Sequence, residues 1–267
     1  MKLRRIAGFG PAIVLVVVLL ALWQLYVYVS KVSPHLLPAP TAIVQALLNN
    51  WDVISVNTVQ TLLETVIGMA AATLFGLLMA ILLDISLWTR RAVYPLLVVS
   101  QTIPLIALAP LFLIWMGFGL EPKVIFVILY CFFPIAVACA DGLASAEPEM
   151  LNLLRSMRAS RWQILWLVRL PGAMPAFFSG LRIGVTYSMT GAIVSEYIGA
   201  YQGLGIYMET SANSGAVDLV FAAILVTAIV SLLLFGLVSW LERIALPWYH
   251  GTTNQALILP RAGRMIV

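Results

Sequence analysis

Few side chains in this sequence are placed to do chemistry, and their spacing excludes more than it offers. His35 and His250 are isolated, with no His-Glu-x-x-His motif, paired aspartates or Ser–His arrangement that an intramembrane enzyme would need. Cys131 and Cys139 share one apolar run without a CxxC pattern and read as buried apolar filler. No G-x-x-x-x-G-K-[ST] phosphate loop is present, so the chain does not hold ATP by that device. What remains is of two kinds. Arg155, Arg158 and Arg161 cluster beside Trp162 in "LLRSMRASRWQ", a combination suited to docking on another polypeptide or on anionic lipid. Glu64, Arg182 and Glu196 sit inside long apolar runs, as do the uncharged Gln101, Thr102, Tyr187 and Ser188. Charges in such surroundings need a partner or water, which suits a gate, a pathway or a structural bond.

The elements that position these residues follow from composition. Across 267 residues, 62% are hydrophobic and only 10% charged, with a mean hydropathy of +1.02. The 15 basic and 11 acidic side chains are too few to cover the surface of a water-soluble globule of 29.2 kDa, so the remaining solvent is lipid. The net charge of +4 does not signal nucleic acid, because the basic residues fall in short clusters between apolar runs. Runs long enough to cross a bilayer core of about 30 Å predict six helices. They cover residues 11–30, 58–83, 94–116, 123–140, 177–199 and 219–241. The fold class is all-α, a polytopic membrane protein. The first run exceeds a signal peptide's apolar stretch and lacks a clear cleavage site, so it reads as a retained anchor.

Six spans sort the connecting segments into two sets. One holds Lys2, Arg4, Arg5, Arg90, Arg91, Arg155, Arg158, Arg161, Arg169, Arg243, Arg261 and Arg264; the other holds Lys31 and Lys123. The positive-inside rule therefore places both termini (1–10 and the basic tail 249–267), the Arg90 loop and the long loop 141–174 in the cytoplasm. Outside, segment 31–57 carries Pro38 and Pro40 ahead of Ile43, Val44, Ala46, Leu47 and Leu48, the pattern of a short amphipathic helix at the interface.

Within the spans, Gly68, Ala72, Gly76 and Ala80 recur four apart, as do Gly180, Gly184 and Ser188, which suits close helix packing. Pro104 and Pro110 are expected to interrupt the third span and Pro134 the fourth. Interrupted helices are tolerated where they pack on protein or face a watery cavity. Arg182, near the inner end of its span, is expected to snorkel. For Glu196 a helix-end hydrogen bond and a pathway role stay open. In the long loop, Ser160 and Gln163 form a capping-box pattern that starts a helix running to Leu170, where Pro171 should stop it. A helix-turn-helix is thus expected, with Leu151, Leu153, Leu154 and Met157 buried against the bundle or a partner and the arginines around the turn.

That loop resembles the cytoplasmic signature of the permease subunits of binding-protein-dependent ABC importers, whose ideal form runs E-A-A, three residues, G, nine residues, I-x-L-P. Val168, Leu170 and Pro171 fit its end; Asn152, Leu153 and Leu154 stand at E-A-A and Arg158 at the glycine. The tight turn must therefore be made without glycine or be displaced by one position. The stretches "LPAPTAIVQAL", "IALAPLFLIWMGFGLEPKVI", "FFPIAVACADGL", "ASRWQ", "LPGAMPAFFSGLRIG", "GAIVSEYIGAYQGLG" and "LERIALPW" resemble the nitrate, sulfonate, taurine and thiamine-precursor branch from Pro38 to Trp248.

The resemblance implies a type I ABC importer permease core over 58–248, multi-pass in a bacterial plasma membrane and used as a homodimer. It implies cytoplasmic ABC ATPase subunits carrying ATP and Mg, an extracytoplasmic solute-binding protein, and no cofactor or metal on this chain. The segment Arg155, Ser156, Met157, Arg158, Ala159, Ser160, Arg161 and Trp162 would be the ATPase-coupling helix. Gln101, Thr102, Tyr187, Ser188 and Glu196 are the candidates for the translocation path, and the "QTIP" and "CFFPIAVACADGL" runs look most like permeases for the hydroxymethylpyrimidine precursor of thiamine. Gly203 and Gly205 in "YQGLG" would allow a tight outer turn. The alternative is an ion-coupled secondary transporter using Glu64, Glu196 and Arg182, which should show inverted repeats or a carboxylate near the bilayer centre; the sequence shows neither.

Overall fold

The computed structural model describes residues 10–249, so the terminal segments 1–9 and 250–267, with the basic residues and His250 they contain, lie outside the described residues. Eleven helical segments follow in order. They are α1 (Gly10–Ser30), α2 (Pro40–Asn49), α3 (Trp51–Ile85), α4 (Leu87–Ser100), α5 (Leu105–Met116), α6 (Leu120–Ala144), α7 (Pro148–Ser156), α8 (Arg161–Ile164), α9 (Leu170–Gly199), α10 (Leu204–Asn213) and α11 (Val217–Ala245). A π-helical turn, Leu165–Arg169, joins α8 to α9.

Five of these stretches are long and apolar enough to cross a membrane, and a sixth span results if α4 and α5 are taken together. The third expected span is therefore not one helix. It breaks at residues 101–104 and its halves meet at 92°. Pro104 has no N–H to continue the ladder and disfavours the helical conformation of Ile103, so the chain restarts with Pro104 as the N-cap of α5. Pro110 and Pro134, also expected to interrupt, instead lie within the continuous helices α5 and α6. Each removes one hydrogen bond from a ladder whose other bonds and packing hold it.

The core is built on α6, which lies between α3 and α9. Along α3 and α6 the contacts keep a constant offset: Glu64 meets Lys123, Gly68 faces Val127 and Gly76 faces Ile135, so the helices run parallel. Against α9 the order reverses. Gly142 faces Ala173, Gly180 faces Ile135, and the Cys131 thiol donates to the Gly184 carbonyl at 3.2 Å, so these helices are antiparallel. The four-residue spacing of small side chains thus lies on the faces that meet α6, where Ala72, Gly76 and Ala80 are all buried.

The peripheral elements take their places from the same logic. α1 has no buried residue and is apolar on every side, as a helix surrounded by lipid must be. It touches the bundle through Trp23 against Phe221, with ring centroids 5.9 Å apart, and Gln24 accepts from Thr41 at 3.3 Å. The expected amphipathic helix is α2, opened by Pro40 and burying Ile43 and Ala46. Its apolar face packs on a second core with Ile54, Met208 and Ala222.

The packing makes a direct prediction. A Cβ on Gly180 would lie 2.7 Å from both the Pro134 carbonyl oxygen and the Ala138 Cβ, and a backbone carbonyl cannot swing aside. Gly180→Ala should lower stability by roughly 1–3 kcal/mol in a detergent unfolding titration. Gly236→Ala, where no atom lies within 4 Å of the new carbon, should be neutral or slightly stabilising.

Candidate functional site

Three constellations gather the chemically capable side chains. The first is the turn between α7 and α8, at the arginine-bearing end of the bundle. α7 ends in a Schellman pattern: the Ala159 N–H donates to the Leu154 carbonyl and the Arg158 N–H to the Arg155 carbonyl, both at 3.0 Å. This geometry requires a left-handed residue, and Arg158 takes it, with φ of 60°. The turn is thus made at the glycine position of the signature, without displacement and without glycine. The chain resumes at Ser160, whose hydroxyl accepts from the Gln163 N–H at 3.2 Å while the Gln163 side chain accepts from the Ser160 N–H at 2.7 Å. The expected capping box is therefore present.

Around this turn Arg155, Ser156, Met157, Arg158, Ser160, Arg161 and Trp162 are exposed and Ala159 is half-buried. Leu151 and Ile164 are the buried residues of the hairpin. Of the four apolar residues expected to bury, Leu153 and Met157 do not do so within this chain; Met157 is 71% and Trp162 65% exposed. Pro171 does not stop the second helix either. The π turn before it, where the Leu170 N–H reaches back to the Leu165 carbonyl, widens the ladder and makes room for the ring, so Arg161–Gly199 forms one continuous apolar helix.

The second constellation lies at the opposite end, where α3, α6, α9 and the start of α10 meet. Glu64 accepts from the Lys123 ammonium at 2.9 Å and from Gln60 at 2.8 Å, and both members of the ion pair are buried. One turn away, Thr61 donates to the Glu196 carboxylate at 2.7 Å, and that carboxylate also accepts from the Gly205 N–H at 2.6 Å. Asn57 accepts from the Gly203 N–H and the Thr61 hydroxyl from the Leu204 N–H, both at 2.8 Å. The first N–H groups of α10 thus cap on side-chain oxygens of α3 and α9. Gly203 has φ of 134°, and a Cβ on it would clash with the Glu196 carboxyl group. Glycine is needed here for close approach as well as for the turn.

The third constellation is a chamber of about 480 Å³ beside the helix break. It is lined by Gln101, Ile103 and Leu105 from the α4–α5 junction, Tyr130, Phe133 and Pro134 from α6, and Ile183 and Tyr187 from α9. Of the residues singled out for a path, Gln101 and Tyr187 meet here. Thr102 turns its hydroxyl to the Val99 carbonyl at 2.8 Å. Ser188 is buried beside a separate, apolar cavity of about 220 Å³ and bonds the Val185 carbonyl at 2.7 Å. Glu196 is fully buried in the polar cluster just described.

Sequence reasoning missed the charge partners. Arg182 does not reach for headgroups alone; it pairs with the buried Glu242 at 3.3 Å. Arg169 holds Asp84 through both carboxylate oxygens at 2.6 and 2.7 Å, and Arg90 pairs with Asp141 at 3.0 Å. The rule that charges at membrane depth require partners carried the signal, but the partner's identity depends on helix neighbours remote in sequence.

The family now follows. A family model described as "Binding-protein-dependent transport system inner membrane component" matches residues 72–245. The chain belongs to this family. A protein of Haemophilus influenzae named "Probable ABC transporter permease protein" is 38% identical over 229 residues, covering 86% of this chain and 94% of the relative. The formylaminopyrimidine transport permease protein ThiX of Halalkalibacterium halodurans is 36% identical, covering 86% of this chain and 92% of its own. The taurine transport system permease protein TauC of Escherichia coli is 31% identical, with 88% and 87% covered. Among solved structures, the MetNI methionine ABC transporter in an inward-facing conformation gives a TM-score of 0.61 at 18% identity, covering 78% of this chain and 98% of that one, which establishes the shared fold. The protein is thus a multi-pass inner-membrane permease subunit of an ABC importer, and its family works with ATPase and solute-binding partners.

The Glu64–Lys123 pair gives this permease a measurable signature. Lys123→Met leaves a buried carboxylate without its cation and should destabilise the purified protein by about 3–5 kcal/mol. The double variant Lys123→Met with Glu64→Met should recover part of that loss in the same unfolding assay, because both charges are then gone.

Proposed function

We propose that two copies of this permease form the transmembrane core of the importer, with both termini and the α7–α8 turn in the cytoplasm. ATP and Mg are carried by separate ATPase subunits, and an external binding protein delivers the solute. The exposed surface from Arg155 to Trp162 is the contact with the ATPase. The observation that carries this reading is the tip itself: exposed Met157 and Trp162 lie among three arginines on a turn held by a Schellman cap and a capping box. An exposed apolar pair fixed on a braced hairpin suits insertion into a partner's groove, and the guanidiniums suit its acidic rim.

In this mechanism, nucleotide-driven closure of the ATPase pair displaces the two hairpins and rocks the bundles, so that the path opens alternately to the two sides. Gln101 and Tyr187 line that path. The external receptor rests on the opposite end, formed by α2, the Gly203 turn and α10. An ion-coupled carrier is less well supported, because Glu64 and Glu196 are fully buried and engaged in structural bonds instead of lining a route. The solute lies within the range set by the resemblance, a pyrimidine precursor of thiamine, nitrate, a sulfonate or taurine.

Two substitutions test the coupling surface. In proteoliposomes holding the complete importer, Arg158→Ala and Trp162→Ala should each cut ATP-dependent uptake by about tenfold, the loss of roughly 1.4 kcal/mol of interface energy. Membrane insertion should be unchanged. Arg158→Gly relieves the left-handed strain and should raise stability by about 1 kcal/mol while still impairing coupling, which separates the turn's shape from its charge. Uptake and complex assembly that match the unaltered permease in both alanine variants would refute the assignment.

A further inference from the structure

The chamber beside the helix break has a chemistry that narrows what passes through it. Its walls come from helices long and apolar enough to cross a membrane, alone or as the bent α4–α5 pair, yet they include the Gln101 amide, the phenols of Tyr130 and Tyr187, and the irregular backbone around Ile103. Polar groups in such a place need water or a polar solute. The remaining wall is flat and apolar: Phe133, Pro134 and Ile183. No lining residue carries a charge.

The cations closest in sequence to the lining residues of α6 and α9 are paired elsewhere. Arg182, adjacent in sequence to the lining residue Ile183, is held by Glu242. Lys123 is held by Glu64, and Arg169 by Asp84. An anion entering the chamber would shed its hydration with no counter-charge to replace it, a penalty that hydrogen bonds from one amide and two phenols do not offset. An uncharged planar ring loses little hydration, stacks on Tyr130, Phe133 or Tyr187, and offers ring nitrogens and exocyclic groups to Gln101. The volume of about 480 Å³ falls within the range of small-molecule sites.

We infer that this chamber is a resting site for the transported solute and that it takes an uncharged, planar nitrogen heterocycle in preference to a small inorganic or sulfonate anion. The inference rests on the reading of the chain as an importer permease and adds the class of solute and the residues that meet it, Tyr130, Phe133 and Ile183 among them.

The test uses an introduced thiol in the complete permease–ATPase complex in lipid nanodiscs. Ile183 is 47% exposed within the chain, whereas the native Cys131 and Cys139 are buried and will not compete for a maleimide. In the Ile183→Cys variant, a saturating hydroxymethyl-aminopyrimidine should slow alkylation by about tenfold, as expected for a site that is mostly occupied. Taurine and nitrate at the same concentration should leave the rate unchanged. Adding Tyr187→Ala should abolish the protection. The inference is overturned if taurine or nitrate protects, if the heterocycle does not, or if Tyr187→Ala leaves protection intact. It is equally overturned if the thiol is unreactive without ligand or crosslinks to the same position in a second copy, since the chamber is then an interface between protomers. Receptor-stimulated ATP hydrolysis by the unaltered complex reports separately on the permease reading, which stands or falls by that signal alone.

Discussion

A bundle in lipid gains nothing from hiding apolar surface, since its solvent is as apolar as its core, so it must be held by close backbone contact and by satisfied polar groups. The α3–α6–α9 sandwich meets that condition. Gly68 and Gly76 admit side chains of α6, and Gly142 and Gly180 admit the α9 and α6 backbones to each other. Once α6 is fixed between two neighbours, every charge at membrane depth can be given a partner on an adjacent helix. Lys123 reaches Glu64 because α3 and α6 are parallel and in register, and Arg182 reaches Glu242 because α9 packs on α11. The ion pairs are consequences of the packing more than its cause.

The same condition explains where the structure departs from regular helix. The break at residues 101–104 frees backbone groups that lipid cannot satisfy, and it is placed where α4 and α5 border the chamber. Pro134, on the chamber's far wall, does not break α6, because a helix locked on two sides tolerates the loss of one hydrogen bond. Equal sequence signals, two prolines in two apolar runs, thus gave different outcomes. The difference lies in support: α6 is clamped along its length, whereas Pro104 opens a short helix with one buried residue, Ala109.

Much of the architecture was legible because lipid imposes simple rules. Span number, the amphipathic α2, the small-residue faces and the capping box at Ser160 all follow from period, composition or local hydrogen bonding. The pairing of Arg182 with Glu242 and of Arg169 with Asp84 was not legible, since helix adjacency is a tertiary fact. The departure at Pro171 has a subtler origin. Proline ordinarily ends a helix because its ring meets the carbonyl four residues back, but a π turn moves that carbonyl, and no residue type marks a π turn in advance. Of the path candidates, Gln101 and Tyr187 were brought together, while Ser188 and Glu196 were drawn to other faces of the same helix.

That continuity at Pro171 matters for the proposed mechanism. The helix from Arg161 to Gly199 spans 39 residues, about 58 Å at 1.5 Å per residue, and links three places. Its first turn carries Trp162 on the exposed tip, its middle carries Ile183 and Tyr187 on the chamber wall, and its last turn carries Glu196, which holds the start of α10. A helix stopped at Pro171 would absorb a push on the hairpin in a flexible joint. A continuous one delivers it to the chamber and to the opposite end together, so that displacement of the tip is felt where solute rests and where α10 is capped. The π turn loosens the ladder, and Pro175 just beyond it removes a further hydrogen bond; both lie between the tip and the chamber, where a change of pitch would alter how far the chamber moves for a given push.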